Sequence, residues 1–284
     1  MKKADLIELA ENPDFISGIY NYCDRWCERC QFTSRCFLYA TEQADPDLAD
    51  PEVHDISNEK FWRKMHIIFA ETAELIAEWA AEAGIDLDAV DSTEAVAQHA
   101  RDMEAAKQHQ LSRTTREYAV AVEEWFKQEL DDQAIRNQAG GEEELTLQSA
   151  VEVIRWYQFF IAAKTFRAVS GAEHLDLETE DDEIFPDFVA DDDLDHEEDF
   201  DDDAALAMTE QMDANGSAKV ALVAIDRSIS GWRSLQISLP EKAESIKPML
   251  IELESLRRSI EARFPRARDF IRPGLDEVNS RFVS

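Results

Sequence analysis

Between residues 146 and 170 the apolar side chains Val151, Ile154, Tyr157, Phe160, Ile161 and Phe166 return at intervals that place them along one side of an α-helix. The same rhythm governs Trp62, Met65, Phe69, Ile76 and Trp79, then Leu222, Ile225, Ile229 and Trp232, then Met249, Leu253, Leu256 and Ile260. No stretch alternates with the two-residue period of a strand. Only eight glycines and eight prolines interrupt 284 residues. A chain patterned in this way is expected to be all-α, a multi-helix bundle whose apolar stripes face one another.

Local signals bound the helices. Residues 59 to 83 form one, stopped by Gly84. Two more cover 92 to 110 and 115 to 138, opened by the acidic capping pairs Asp91 with Glu94 and Thr114 with Glu117, and closed by Gly140 and Gly141. The helix over 146 to 170 stops at Gly171, another starts at Asn215-Gly216-Ser217, and Ser238 with Glu241 caps the last across Pro240. From Glu173 to Asp203 the composition changes: 18 residues are acidic and none is Lys or Arg. A run so charged buries too little apolar surface to offset the entropy of ordering it, so 173–203 is expected to be a disordered, flexible insertion. The expected organisation is one bundle, with residues 1–172 before the insertion and 204–284 completing it; two domains joined by an acidic linker is the alternative.

Charge narrows the function classes. Twenty-nine Lys and Arg face 62 Asp and Glu, a formal charge of −33, which repels nucleic acid and anionic membrane alike. No apolar run approaches the roughly 18 residues that cross a bilayer, and the opening MKKADLIELAENPDF lacks the apolar core of a secretory signal. The expectation is a cytoplasmic protein that binds neither nucleic acid nor membrane. In a reducing compartment clustered cysteines point to metal or redox chemistry rather than to disulfides.

All four cysteines, Cys23, Cys27, Cys30 and Cys36, lie in YNYCDRWCERCQFTSRCFLY. Ile16, Tyr20, Cys23, Cys27 and Cys30 fall at steps of four, three, four and three, so an ordinary apolar helix seam is one explanation. Metal binding is the other, and geometry constrains it. On an unbroken helix Cys23 and Cys30 stand about 10.5 Å apart along the axis, whereas tetrahedral zinc needs sulfurs only about 3.8 Å apart. If these thiols share a centre, the helix must break between Tyr22 and Cys30. A four-iron cluster presents its corners outward and accepts wider spacing.

The spacing is C-x3-C-x2-C-x5-C. Its first three cysteines resemble the cluster motif of radical-SAM enzymes, and its last three have the C-x2-C-x5-C spacing of endonuclease III-like glycosylases. Neither resemblance extends beyond the motif: the first family needs an α/β barrel and the second a basic DNA face. What the spacings imply is that such a run can ligate a 4Fe–4S cluster. The expected cofactor is therefore an iron–sulfur cluster ahead of zinc, with all four cysteines as ligands. A Cys27/Cys30 redox pair and a metal-free seam stay open. Arg25, Arg29 and Arg35 within the motif are expected to favour thiolates, and Tyr20, Tyr22, Trp26, Phe32, Phe37 and Tyr39 either exclude solvent or join the core.

Other chemistry finds less support. The Glu-x-x-His pairs of a di-iron bundle are missing: Arg63, Val96 and Ala106 stand three residues before His66, His99 and His109. His66 reads as a hydrogen-bonded residue at the core edge, and Glu71 with Glu74 as a solvated face. There is no Walker loop and no G-x-G-x-x-G. Arg257, Arg258, Arg263, Arg266, Arg268 and Arg272 form an arginine-dense C-terminal region that can pair with neighbouring acids, receive the acidic segment or hold an anion. Two function classes follow. One is a metalloprotein whose centre transfers electrons, senses redox state or supports catalysis. The other is an interaction protein in which the metal only staples the fold and the acidic segment recruits a basic partner.

Overall fold

A computed structural model describes residues 7, 9–89, 92–130, 142–176 and 202–276. Among these residues there are seven α-helices and no strand: α1 (Phe37–Ala44), α2 (Glu59–Glu82), α3 (Thr93–Gln108), α4 (Gln110–Glu129), α5 (Glu142–Asp176), α6 (Asp202–Ser238) and α7 (Ala243–Arg263). The chain divides into two compact units, Met1–Gln98 with Arg272–Ser284, and His99–Ile271.

The His99–Ile271 unit is built on an antiparallel four-helix bundle. Arg167 of α5 pairs with Asp213 of α6 at 2.8 Å, Arg227 donates to the Tyr157 hydroxyl, and a Cβ on Gly231 would lie 3.1 Å from Ile154. Residue numbers rise on one helix as they fall on the other, so α5 and α6 run antiparallel. The same argument orients α4 against α5 through Gln158 to Glu123 at 3.4 Å and Arg155 over the Phe126 ring at 4.7 Å. Helices α6 and α7 are joined by Arg233 to Glu254 and Arg257 to Asp226, and α7 returns to α4 through Ser245 to Trp125 and Lys242 to Glu129. The ring of neighbours α4, α5, α6, α7 therefore closes with up-down-up-down topology.

Its centre is aromatic. Trp232 of α6 is fully buried, donates its indole N–H to the Tyr118 hydroxyl of α4 at 3.0 Å, and meets Trp125 edge-on with centroids 4.9 Å apart. Phe126 stacks on it from 5.9 Å. These contacts cross the bundle diagonally and satisfy the one polar atom that so deep an indole carries. The stripes read from sequence supply the surrounding core: Ile154, Tyr157, Ile161, Leu222, Ile225, Ile229, Leu253, Leu256 and Ile260 are all buried.

Three boundaries differ from expectation. Helix α5 runs through Gly171 to Asp176, and α6 begins at Asp202 and passes through Asn215-Gly216-Ser217. Neither glycine takes a positive φ. Ala168, Ala172, Ala214, Ser217 and Ala218 around them are buried, and close packing of small residues outweighs the roughly 1 kcal/mol that glycine costs a helix. The third concerns α4: its N-cap is His109, whose Nδ1 accepts the Leu111 N–H at 3.1 Å, while Thr114 lies inside the helix. The expected tail of that helix, 131–138, and residues 177–201 of the acidic segment lie outside the described residues. The segment's edges, 173–176 and 202–203, are helical.

In the other unit, α2 ends at Gly84 with φ 71°, as its sequence implies. Its N-terminus is tied to two Asp-Pro turns, with Lys64 bound to Asp45 at 2.6 Å and Lys60 to Asp50 at 2.8 Å. Asp45 and Asp50 each cap a short 3-10 turn opened by the following proline. Beyond those turns the apolar stripe of α2 faces outward: Trp62 is 58 %, Phe69 64 % and Trp79 63 % exposed. No helix among the described residues is long and apolar enough to cross a membrane.

The contrast between the two stripes is measurable. Trp232→Ala should cost about 3–5 kcal/mol in urea unfolding followed by far-UV circular dichroism, and Trp79→Ala under about 1 kcal/mol.

Candidate metal centre

The cysteine segment is held from both ends. Ile16 donates its backbone N–H to Arg35 O at 3.0 Å, and Arg35 Nε donates to Asp14 O at 3.2 Å. Ile16 also packs on Gly274, where a Cβ would approach its side chain to 2.8 Å. Gly18, with φ 68°, turns the chain into a single 3-10 turn, Ile19–Asn21.

Cys23 then lies in an irregular stretch. Asp24 Oδ1 accepts the Trp26 N–H at 3.2 Å, the local bond by which Asp competes with helix formation, and Arg25 adopts φ 58°. Short turns follow at Cys27–Arg29 and Thr33–Arg35. Cys30 and Cys36 stand in extended conformation immediately after them, with ψ 126° and 112°, and Cys36 leads into α1. The helix seam is thus broken between Tyr22 and Cys30, as a shared centre requires. The four cysteines sit on one irregular loop that contains two short 3-10 turns.

All four thiols are free and half-buried. Phe32 donates its backbone N–H to Cys30 Sγ at 3.4 Å, a bond that suits a sulfur carrying negative charge. Cys23 Sγ lies 3.7 Å from Tyr20 O. Burial holds the Cys23 thiol above its ordinary pKa, with Arg25 opposing and not overcoming it. Burial does the same to Cys27, with Glu42 adding to the effect. Arg25 thus acts in the expected direction, toward the thiolate, at both residues, and burial outweighs it. Arg25 is drawn to Glu42 at 3.0 Å, Arg29 lies over the Trp26 ring at 3.9 Å, and Arg35 is engaged by Asp14 O. Their charge goes into holding the loop.

Among the described residues, no three His, Cys, Asp or Glu side chains are gathered at metal-holding distance. The structure places the four cysteines on one folded loop without closing them into a coordination sphere. Their donor chemistry fits a thiolate-bound metal, and so does the amide aimed at Cys30. Phe37 packs edge-on against Phe15, centroids 6.1 Å apart, and lies 6.4 Å from Tyr20. Tyr22, Trp26, Phe32 and Tyr39 are half-buried in the same segment.

The three histidines weighed from the sequence have other surroundings. His66 is exposed rather than at a core edge, His99 is exposed, and His109 serves as the α4 cap. Glu71 and Glu74 are exposed, as read from sequence. The contact of Ile16 with Gly274 and the Phe32 amide escaped the sequence reading. Pro273-Gly274 is a turn signal, but its contact with Ile16 joins residues too distant in sequence for any local pattern to reveal. No protein family, curated protein or solved structure matches the chain.

Gly274 makes the support of this loop testable. Alanine there meets both a positive φ of 69° and the Ile16 side chain, so Gly274→Ala should destabilise the unit by about 1–3 kcal/mol. Gly18→Ala, with φ 68° and only an Asn21 side-chain atom at 3.6 Å, should cost less. Urea titration of the two variants ranks them.

Proposed function

We propose that Cys23, Cys27, Cys30 and Cys36 bind a metal centre, a 4Fe–4S cluster ahead of zinc, in a cytoplasmic all-α protein. The observation that carries this reading is the broken helix: Arg25 at φ 58° and two 3-10 turns replace the regular seam and bring four thiols onto one loop. An unbroken helix would spread Cys23 and Cys30 by about 10.5 Å. When bound, a cluster supplies one-electron redox chemistry. The chain supplies four thiol ligands, an amide N–H directed at Cys30 Sγ, and half-buried aromatic rings that limit water. Electron transfer, redox sensing and cluster-supported catalysis all draw on this arrangement.

A second reading is a structural staple. The bonds of Arg35 to Asp14 and Ile16, and the contact of Ile16 with Gly274, make the loop a junction of chain segments that a metal would clamp. Under this reading the protein is an interaction partner, and its acidic segment 173–203 recruits a basic protein.

Anaerobic purification followed by metal and sulfide analysis and a visible spectrum separates the readings. Iron with sulfide and a brown chromophore supports the cluster, stoichiometric colourless zinc supports the staple, and a metal-free folded protein refutes both. Cys30→Ser should abolish metal retention; unchanged content would remove Cys30 from the ligand set.

A pH dependence follows from the raised thiols. A ligand thiol must lose its proton to bind metal, and burial makes that loss harder at Cys23 and Cys27. Metal binding should therefore release protons, and apparent affinity should rise from about pH 6 to about pH 8, as read by chelator competition at each pH.

A further inference from the structure

We propose that the groove between α6 and α7 binds a small phosphate-bearing molecule. Asp226, Ile229, Ser230 and Arg233 of α6, with Arg257, Arg258 and Glu261 of α7 and Arg268 beyond it, line an open cavity of about 520 Å³. Four guanidinium groups and two carboxylates line it, and with Glu254, which binds Arg233, the four cations meet three acids, a local excess of positive charge in a chain of net charge −33.

The carboxylates orient the cations without exhausting them. Arg268 is the most engaged: it donates to Asp226 Oδ2 through Nη1 at 2.6 Å, and to Glu261 Oε1 through Nε at 2.9 Å and Nη2 at 2.8 Å. It forms a fixed wall. Arg257 makes one long bond to the same Asp226 carboxylate, at 3.4 Å, and Arg233 uses Nη2 on Glu254 at 3.1 Å. Arg258 is exposed and pairs with no carboxylate among the described residues. Three arginines therefore keep N–H donors on one groove. Planar guanidinium forks match the oxygen spacing of phosphate, which takes paired hydrogen bonds from them.

Size and charge choose the ligand class. The cavity lies within the range that holds small organic ligands, roughly 300–1,000 Å³, so there is room for a small organic portion beside the phosphate. A nucleic acid strand would add many phosphates to the field of a strongly acidic protein and be repelled. A small molecule with two or three charges meets much less of that opposition, and contact hydrogen bonds can hold it.

Isothermal titration calorimetry of the full chain with inorganic phosphate, pyrophosphate and citrate tests the assignment. Pyrophosphate should bind at one site, more tightly than citrate. Arg258→Glu should weaken it at least about tenfold, the scale of one lost charged hydrogen bond, without lowering the melting temperature, because Arg258 supports no ion pair among the described residues. Arg257→Ala should weaken it similarly, whereas Arg263→Ala, whose guanidinium lies over Phe264, should leave binding unchanged. Absence of binding up to about 10 mM pyrophosphate would overturn the site, and so would unchanged affinity in Arg258→Glu. Citrate binding as tightly as pyrophosphate would overturn the phosphate assignment.

Discussion

Close approach of α5 and α6 is the constraint on which the bundle depends. Each is more than thirty residues long, and glycine or alanine occurs where the two backbones meet. At Gly231 a Cβ would stand 3.1 Å from Ile154 and 3.3 Å from Ala150 O, tighter than ordinary packing. The space left free lets the neighbouring Trp232 reach across to Tyr118 and Trp125 of α4. The helix pair thus sets the depth at which the aromatic centre forms, and α4 and α7 close around it. Each large apolar side chain so buried contributes about 1.5–3 kcal/mol. That is enough to keep α5 and α6 helical through glycines that would end an isolated helix.

The acidic segment connects these two helices in sequence, and its position explains how the bundle tolerates it. The entropic cost of closing a connection grows only with the logarithm of its length, while the contacts that hold α5 to α6 lie along the helices. Eighteen acidic residues between 173 and 203 therefore need not weaken the core. Arg167 and Asp213 pair in a bidentate manner near that end of the hairpin, and fix its register where the apolar residues give way to charge.

Much of this was legible in the apolar rhythm. Leu222, Ile225, Ile229 and Trp232 were read as one stripe, and all are buried. Gly171 and Asn215-Gly216 misled because helix propensity is local, whereas the packing that overrides it comes from another helix. The α2 stripe shows the converse limit: periodicity reports an amphipathic helix without saying what covers it, and Trp62, Phe69 and Trp79 are exposed. At the cysteine loop, sulfur spacing alone demanded a break, and the backbone supplies one. The raised thiols of Cys23 and Cys27 were not readable, because they turn on burial and, at Cys27, on Glu42, which pairs with Arg25 seventeen residues away.

Arginine does opposite work at the two sites. Around the cysteines its charge is spent on a carboxylate, an indole ring and a backbone carbonyl. At Cys23 and Cys27 burial then favours the neutral thiol against the pull of Arg25. Between α6 and α7 one carboxylate, Asp226, is shared by Arg257 and Arg268, so cations outnumber the anions available to them. In a protein this acidic, an undersupplied set of arginines is the unusual feature, because acids are abundant everywhere else on the chain. Full neutralisation of the groove requires an anion that the chain's own carboxylates there do not provide.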